Sequence, residues 1–353
     1  MWVGSLPPRS HFGSVVMPSH RPSAVGSRLF ARTVHGLEHV AAQELRERDC
    51  TVVAVSPRQL VLDGPDSLLD RPPGTVDDLF RLVLAAPDPG PTKPALPVLA
   101  RLLARTPLGE VDAPVVSVSA SVVGRRTYSR YDVEDIVGAV LADRLGAVYV
   151  SRRDGRVPPR GAVDWRVTLD ATGVHIGLRG ARPPLHRRPW KVASVPGTLH
   201  PPVAAAMVRV AGIGHGDLVV DPCCGAGTVL VESPVAGVGS DIAGVAAARV
   251  NARHRPDIAW LTVDARRLPY PDGSVDHIVT NPPWDRQVRT VGVAGELLRE
   301  WRRVLRPGGR LTCLAPWPTL PGFRTLARYP ISLFGRHPVI TVCERGPLPD
   351  RSR

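Results

Sequence analysis

From Leu199 onward, strand and helix patterns alternate, and this alternation constrains the fold more than any other feature of the chain. The segments run in the order DLVVD, GTVLVES, GVGSD, AGVAAARVNAR, AWLTVD, HIVTN, AGELLREWRRVL and GRLTCLAP. Strands separated by helices form a largely parallel sheet with helices on both faces. We therefore expect an α/β, Rossmann-like domain with a mostly parallel sheet over residues 199–345.

A glycine-containing turn follows the first strand of this domain, in LVVDPCCGAGTVLVES. Gly225 and Gly227 allow the backbone to pass close to a ligand, and the helix that follows presents unpaired N–H groups. A dinucleotide loop has the pattern G-x-G-x-x-G, but its third glycine position is occupied here by Leu230. An NAD-dependent oxidoreductase is therefore disfavoured.

Acidic residues follow three successive strands of the domain. Asp221 ends the first strand, Asp241 ends GVGSD and Asp264 ends AWLTVD. Open α/β sheets bind ligands at the carboxyl ends of their strands, where one carboxylate can accept from both hydroxyls of a ribose and another can meet an adenine amine. The pattern predicts a ligand that contains adenosine without a pyrophosphate, and S-adenosylmethionine fits.

The turn TNPPW follows the fourth strand, HIVT. The prolines end the strand, because they donate no backbone hydrogen bond. If Asn281 lies beside the cofactor, its side-chain carbonyl and the Pro282 carbonyl can accept from an exocyclic amine and orient it. Trp284 offers a face on which a base can stack. We interpret Asn281, Pro282, Pro283 and Trp284 as a catalytic turn for N-methylation.

The chain is basic, with 45 Lys+Arg against 32 Asp+Glu and a net charge of +13. The excess lies after residue 112, since residues 1–112 are balanced. Such a surface attracts a polyanion, although an arginine-rich solvated surface is the plain alternative. The five cysteines form no CxxC pair and no cluster at metal spacing, so we expect a reduced cytoplasmic setting without a metal. No apolar run approaches the ~20 residues of a membrane helix.

Two smaller units precede the α/β domain. The pattern of residues 28–112 predicts an α+β unit that ends in a Pro-rich connection. The predicted helix of this unit has an apolar face formed by Leu37, Val40, Ala41 and Leu45. A candidate helix and strand lie around TVDDLFRLVLAA. Residues 113–182 begin with the alternating strand VVSVSASVV, continue with a helix for which we predict Asp132 as N-cap, and end in a hairpin at ATG. Residues 1–27 are expected to be a disordered tail, 183–198 a linker and 346–353 a second tail.

These motifs resemble those of the THUMP-domain RNA methyltransferases. VDPCCGAGT is similar to that family's cofactor loop, TNPPW to its catalytic motif, and LHRRPW with GTLHPPVAAAMVRVAG to its linker and first catalytic helix. The resemblance implies a seven-stranded methyltransferase sheet, a ferredoxin-like unit over 28–112 and a THUMP domain over 113–182 that docks structured RNA. It implies guanine-N2 methylation, with tRNA as the expected partner. Pro202, where many relatives have Thr, and Asp285, where they often have Gly, depart from the family pattern.

The predicted site residues fall into two further sets. The cofactor set comprises Asp221, Cys223, Cys224, Gly225, Ala226, Gly227, Thr228, Asp241, Ile242, Asp264, Ala265 and Asn281. The RNA-phosphate set, for which a solvated linker is the alternative, comprises Arg179, Arg182, Arg187, Arg188 and Lys191.

Three other functions stay open at this stage. The catalytic motif is shared with DNA adenine and protein glutamine methyltransferases, so N6-adenine methylation of DNA or RNA is one rival. Guanine-N2 methylation of large-subunit rRNA is the second. An RNA-binding protein with an inactive methyltransferase domain is the third, and the intact glycine turn and Asn281 argue against it.

Overall fold

The computed structural model describes residues 27–65, 67–180, 182–283 and 291–346, so the predicted N-terminal and C-terminal tails lie almost wholly outside the described residues. Two sheets organise these residues, one of eight strands and one of seven. Within the described ranges, no helix is both long and apolar enough to cross a membrane.

The first sheet unites the two N-terminal units. Its elements are β1 Ser27–Arg32, α1 Glu38–Arg46, β2 Thr51–Ser56, β3 Gln59–Gly64, α2 Ser67–Asp70, β4 Asp78–Ala86, α3 Leu96–Arg105, β5 Val115–Val122, α4 Arg130–Leu145, β6 Val148–Tyr149, β7 Val163–Asp170 and β8 Gly173–Gly180. The strand order is β2-β3-β1-β4-β8-β7-β5-β6, and β4 pairs antiparallel with β8. The units predicted as separate at residue 112 therefore share one continuous sheet.

Helix α3 corrects the predicted boundary between these units. The sequence indicated only a Pro-rich connection here, but Leu96, Leu99 and Leu103 are buried with Val137 and Leu141 of α4. The connection thus carries a helix that belongs to the core of the second unit. The helix expected near TVDDLF is not formed. Strand β4 begins there, at Asp78, and just before it the Thr75 N–H donates to the Glu44 carboxylate.

Helix α4 begins one turn before the expected N-cap. Ser129 is the N-cap, and Asp132 occupies the third helical position, where its carboxylate accepts from the Ser129 N–H at 2.8 Å. This reciprocal capping box satisfies donors at both ends of the first turn. The apolar spacing of the helix, with Val133, Val137 and Leu141 on one face, is matched by the burial of these three residues.

The second sheet has the predicted seven strands. Its elements are α5 Pro201–Ala211, β9 Val219–Asp221, α6 Thr228–Glu232, β10 Gly237–Ser240, α7 Ala246–Asn251, β11 Ile258–Leu261, β12 Val275–Thr280, α8 Val291–Val304, β13 Leu305–Ala315, β14 Phe323–Pro330 and β15 Val339–Arg345. The order is β11-β10-β9-β12-β13-β15-β14, with β9 to β13 parallel and β15 antiparallel to both neighbours. This is the largely parallel sheet that the alternation predicted, with the seven strands that the family resemblance implied.

The first sheet packs directly on the second domain. Leu37 and Val40 of the first unit share one buried core with Val203 and Met207 of α5. Pro202 is buried at the start of α5, where a proline costs no helical hydrogen bond. Polar contacts reinforce the interface, since the Ser332 N–H donates to the His35 carbonyl at 3.0 Å.

Substitution of Gly36 tests this interface. Gly36 has φ +95°, and a Cβ there would lie 2.0 Å from the Pro330 carbonyl oxygen. Because backbone must move to relieve that clash, Gly36→Ala should lower the free energy of unfolding by about 3 kcal/mol or more, measured by urea denaturation. Gly146→Ala is the control, since Gly146 also has positive φ (62°) but no atom within 4 Å of its added Cβ. Equal losses in the two variants would contradict the close packing at Pro330.

Candidate active site

Four polar residues meet at one edge of the seven-stranded sheet, as the sequence predicted. Asp221 ends β9, Asp241 directly follows β10, Asp264 lies three residues after β11, and Asn281 directly follows β12. These strands are parallel and adjacent, so their carboxyl ends share an edge. Ligands of open α/β sheets bind at this edge.

The glycine turn packs tightly between β9 and β10. The Cys224 N–H donates to the Ser240 carbonyl at 2.9 Å, and the Gly227 N–H donates to the Cys224 carbonyl at 2.7 Å. Gly227 has φ +77°, and a Cβ there would lie 2.6 Å from the Trp260 ring. Trp260 thus fills the space behind the turn and leaves no room for a side chain at Gly227.

Asp221 faces the protein interior, which corrects its predicted role in direct cofactor contact. Its side chain accepts from the Thr280 hydroxyl at 2.8 Å and from the Cys223 N–H at 3.1 Å, and the residue is 1% exposed. Burial raises the pKa of Asp221 to about 7, against the lowering effect of these two hydrogen bonds. Asp221 therefore links the turn to β12 through hydrogen bonds in the interior of the protein.

Asp241 lies at the mouth of the turn with a half-exposed carboxylate. One oxygen accepts from the Gly225 N–H at 2.9 Å, and the other accepts from the Ala243 N–H at 2.9 Å. Each carboxylate oxygen can accept a second hydrogen bond, so a ribose diol fits here. The neighbouring Ile242 side chain is 67% exposed and offers an apolar surface beside that position.

Beyond the end of β11, the Asp264 carboxylate forms an ion pair with the Arg266 side chain. Both carboxylate oxygens accept from the Arg266 side chain, with the shortest contact at 2.7 Å, and this pairing lowers the pKa of Asp264. The Arg266 backbone N–H also donates to this carboxylate at 2.9 Å, so an adenine amine would share the carboxylate with Arg266. Ala265 beside it is buried. The acids and the turn together fit an adenosine-bearing cofactor.

The thiols of the turn cysteines are largely removed from solvent, with Cys224 buried and Cys223 partly buried. Burial raises the pKa of the Cys223 and Cys224 thiols, so neither is a thiolate near neutral pH. Thr228 is buried at the start of α6, and Ala226 is buried in the turn. Across the described ranges, no group of His, Cys, Asp and Glu is arranged to hold a metal ion.

Asn281 lies against the linker. Its amide nitrogen donates to the Gly197 carbonyl at 3.4 Å, and because that carbonyl can only accept, the amide oxygen faces away from the linker. Pro282 is buried and Pro283 exposed. Trp284 and Asp285 lie outside the described residues.

Asn251 is a site residue that sequence reasoning missed. It is fully buried at the end of α7. Its amide oxygen accepts from the N–H groups of Val192 and Ala193, each at 2.9 Å, and its amide nitrogen donates to the carbonyls of Ala193 and Ala226, each at 2.9 Å. The only signal in the sequence is an asparagine within the helical pattern AGVAAARVNAR, where this residue type is unfavourable.

The predicted phosphate-binding residues serve mainly as structural contacts. Arg179 pairs with Asp78 at 2.8 Å and with Asp164, and Arg182 also pairs with Asp78. Arg188 pairs with Glu232 at 2.7 Å, and the Lys191 ammonium donates to the Leu199 carbonyl at 2.8 Å.

These contacts argue against the phosphate role predicted for Arg179 and Arg188, whereas the role of Arg182 and Lys191 stays a prediction. The Arg179 and Arg188 side chains are each 11% exposed, which leaves them little access to a polyanion. The remaining residue, Arg187, is exposed.

The raised pKa of Asp221 gives a testable pH dependence. Because the folded pKa of about 7 lies above the unfolded value of about 3.9, the stabilisation is full below pH 4 and is lost as pH rises through 7. Asp221→Asn does not titrate, so its free energy of unfolding relative to wild type should rise by about 2 to 3 kcal/mol from pH 5 to pH 8. Urea denaturation of the cofactor-free proteins measures this difference.

Asp257→Asn is the matched control, since Arg255 lowers the pKa of Asp257 and its titration lies below pH 5. The difference between this variant and wild type should stay flat from pH 5 to pH 8. A flat difference for Asp221→Asn as well would contradict a buried, proton-binding Asp221.

Comparison with known proteins identifies related chains. A family model described as "RMKL-like, methyltransferase domain" matches residues 188–239, and one described as "Methyltransferase domain" matches residues 219–309. The chain is 29% identical over 287 residues to the tRNA (guanine(6)-N2)-methyltransferase of Thermus thermophilus, covering 75% of this chain and 81% of that protein. It is 37% identical over 148 residues to the tRNA (guanine(10)-N2)-dimethyltransferase of Methanothermobacter thermautotrophicus, covering 38% of this chain and only 42% of that relative.

A solved structure extends the likeness to nearly the whole chain. The crystal structure of TrmN from Thermus thermophilus superposes with a TM-score of 0.72 at 27% identity, covering 90% of this chain and 99% of TrmN. A likeness of this length includes the first sheet as well as the methyltransferase sheet. These likenesses and the site at the edge of the second sheet show that the chain carries a methyltransferase domain and is similar, over most of its length, to a tRNA (guanine-N2)-methyltransferase.

Proposed function

We propose that this protein transfers a methyl group from S-adenosylmethionine to the exocyclic N2 amine of a guanine in tRNA. The observation that carries the proposal is the position of Asn281 and Pro282 at the end of β12, on the same sheet edge as the glycine turn and Asp241. The two relatives described above act, by their names, on guanine N2 of tRNA. The proposal includes a cytoplasmic location, where the protein would meet its tRNA substrate.

The cofactor side of the site is built from the turn and the strand-end acids. Bound S-adenosylmethionine supplies an electrophilic methyl group. Asp241 would accept from the ribose hydroxyls, and Asp264 would accept from the adenine amine. Ile242 would cover one side of the adenine, and Gly225 and Gly227 would let the backbone approach the rest of the molecule.

The base side of the site is built from the Asn-Pro-Pro turn. Donation from the Asn281 amide nitrogen to Gly197 fixes the amide, so that its oxygen can accept from the target amine. The Pro282 carbonyl would accept the second N–H, and the two acceptors would align the amine with the methyl group. They also stabilise positive charge that develops on the nitrogen as the bond forms. Trp284, predicted to stack on the base, lies outside the described residues.

A base inside a duplex cannot reach this edge, so the target guanine must be unpaired or flipped out. The first sheet would supply the docking surface, with residues 113–182 as the predicted THUMP domain. Large-subunit rRNA is the second candidate substrate, because the same base chemistry serves either RNA. Methylation of the adenine N6 amine is the third candidate reaction, and it has a different target base.

A methyl-transfer assay tests the proposal. Purified protein and tritiated S-adenosylmethionine are incubated with total RNA from a strain that lacks the gene, and the labelled RNA is sized and digested to nucleosides. Label in the tRNA band as N2-methylguanosine is the expected result. Label in large rRNA would change the substrate, N6-methyladenosine would change the base, and no label in any RNA would contradict the proposed function.

Asn281→Ala should reduce kcat by roughly 100-fold or more, because it removes both the acceptor for the amine and the bond to Gly197. S-adenosylmethionine affinity, measured by calorimetry, and RNA affinity, measured by filter binding, should change little. Asn281→Asp is the control, since it keeps an acceptor at this position and should retain more activity than the alanine variant. Near-wild-type kcat in Asn281→Ala would contradict the assigned role.

A further inference from the structure

Phe334 is exposed where the other aromatic side chains are not. Its side chain is 81% exposed, and every other Phe, Tyr and Trp among the described residues is buried or half-buried. It lies between β14 and β15, on the face where the second domain meets the first sheet. An exposed flat ring is costly in water and serves well as a binding surface.

The backbone at Phe334 is strained. Leu333 and Arg336 exchange backbone hydrogen bonds of 2.9 and 3.0 Å, and the two residues between them, Phe334 and Gly335, have φ +50° and +78°. This is a two-residue hairpin of type I′, which favours Asn-Gly. A bulky aromatic residue with positive φ is an outlier, and such strain is retained mainly at functional positions.

The hairpin is held in place from both sides. The Ser332 N–H donates to the His35 carbonyl at 3.0 Å, and the Ile331 N–H donates to the Pro338 carbonyl at 3.0 Å. The His200 ring lies 5.6 Å from the Phe334 ring at an interplanar angle of 78°. His200 is itself fixed, because its Nε2 lies 2.7 Å from an Asp77 carboxylate oxygen. The Phe334 ring is therefore both exposed and firmly positioned.

A basic groove leads to this hairpin. Arg32 and Arg58 of the first unit line it together with Arg126 and Arg130 of the second unit, around a volume of about 550 Å³. Arg58 also reaches the hairpin, since its guanidinium donates to the Ser332 hydroxyl at 3.3 Å. Arg58 and Arg130 are exposed, whereas Arg126 is 7% exposed and pairs with Asp88. Arg58 and Arg130 are therefore the charges that the groove presents to a polyanion.

The linker connects the surroundings of Phe334 to the target-base site. The linker passes from Gly197, whose carbonyl accepts from Asn281, to His200, whose ring contacts Phe334. Three residues of chain span at most about 11 Å. The distance from Phe334 to Asn281 also includes the His200–Phe334 contact at one end and the Gly197–Asn281 contact at the other, so a few nucleotides of extended strand would connect the two residues.

We propose that Phe334 stacks on an unpaired nucleotide of the RNA substrate near the methylated base, while the exposed Arg58 and Arg130 of the groove hold phosphates of the same strand. This inference rests on the proposed function and specifies how its substrate is bound. Base stacking on aromatic side chains is independent of sequence, so Phe334 would recognise the single-stranded character of the RNA.

Four variants of Phe334 test the proposal. KM and kcat are measured with total RNA from a strain that lacks the gene, and S-adenosylmethionine affinity is measured by calorimetry. Phe334→Leu keeps an apolar side chain and the same positive φ but loses the flat face, so KM for RNA should rise about five- to a hundredfold with kcat and cofactor affinity unchanged. Phe334→Tyr and Phe334→Trp keep the face and should stay within about twofold of wild type.

Phe334→Asn separates binding from folding. Asn-Gly is the preferred type I′ pair, so this variant should have a Tm equal to or above that of wild type while its KM rises as in Phe334→Leu. Wild-type KM in both the leucine and asparagine variants would overturn the proposal, as would equal losses in the tyrosine and leucine variants. Absence of RNA methylation by the wild-type protein would instead overturn the proposed function.

Discussion

The arrangement of the site depends on the buried amide of Asn251. Its four hydrogen bonds join α7 to the linker at Val192 and Ala193 and to the cofactor turn at Ala226. Every donor and acceptor of the side chain is used, which is the condition under which a buried polar group fixes a structure instead of destabilising it. The linker therefore has one position relative to the turn.

That position makes the linker part of the site. Beyond Ala193 the chain reaches Val195, whose side chain would contact a Cβ added to Gly225 at 3.3 Å, and then Gly197, which accepts from Asn281. The Arg188–Glu232 pair fixes the other end of the linker; the Arg188 guanidinium also donates to the Gly74 carbonyl of the first unit at 2.6 Å. Breaking one partner of such a buried pair is costly, since the remaining charge has no compensation. The first sheet, the cofactor turn and the target-base turn are thus connected through about a dozen residues of linker.

The sequence predicted the features that depend on local pattern. Alternating strands and helices indicated the parallel sheet, and the polar residues at strand ends indicated the edge that carries the site, because the carboxyl ends of parallel strands necessarily meet. Helix faces such as that of α4 followed from their apolar spacing. The same pattern could not show that Asp221 faces inward, because a strand-end acid has the same sequence signature whether it binds a ligand or a neighbouring hydroxyl.

Long-range pairing was beyond the reach of the sequence. Arg179 and Arg188 count as positive charge in composition, but their partners Asp78 and Glu232 are distant in the chain and cancel that charge in the fold. Helix α3 was hidden by the prolines at its start, which are tolerated in a first turn. Asn251 gave no motif, because its role depends on two loops that only the tertiary structure brings to it.

Binding of S-adenosylmethionine to Asn251→Asp tests the central role of this amide most directly. The substitution keeps the oxygen that accepts from Val192 and Ala193 but places a second oxygen against the carbonyls of Ala193 and Ala226. Calorimetry on a variant shown by circular dichroism to be folded should give an affinity at least about tenfold weaker than wild type, since the loss of two hydrogen bonds together with the charge repulsion displaces the linker from the turn at a cost above about 1.4 kcal/mol. A folded variant with wild-type affinity would contradict the dependence of the site on Asn251.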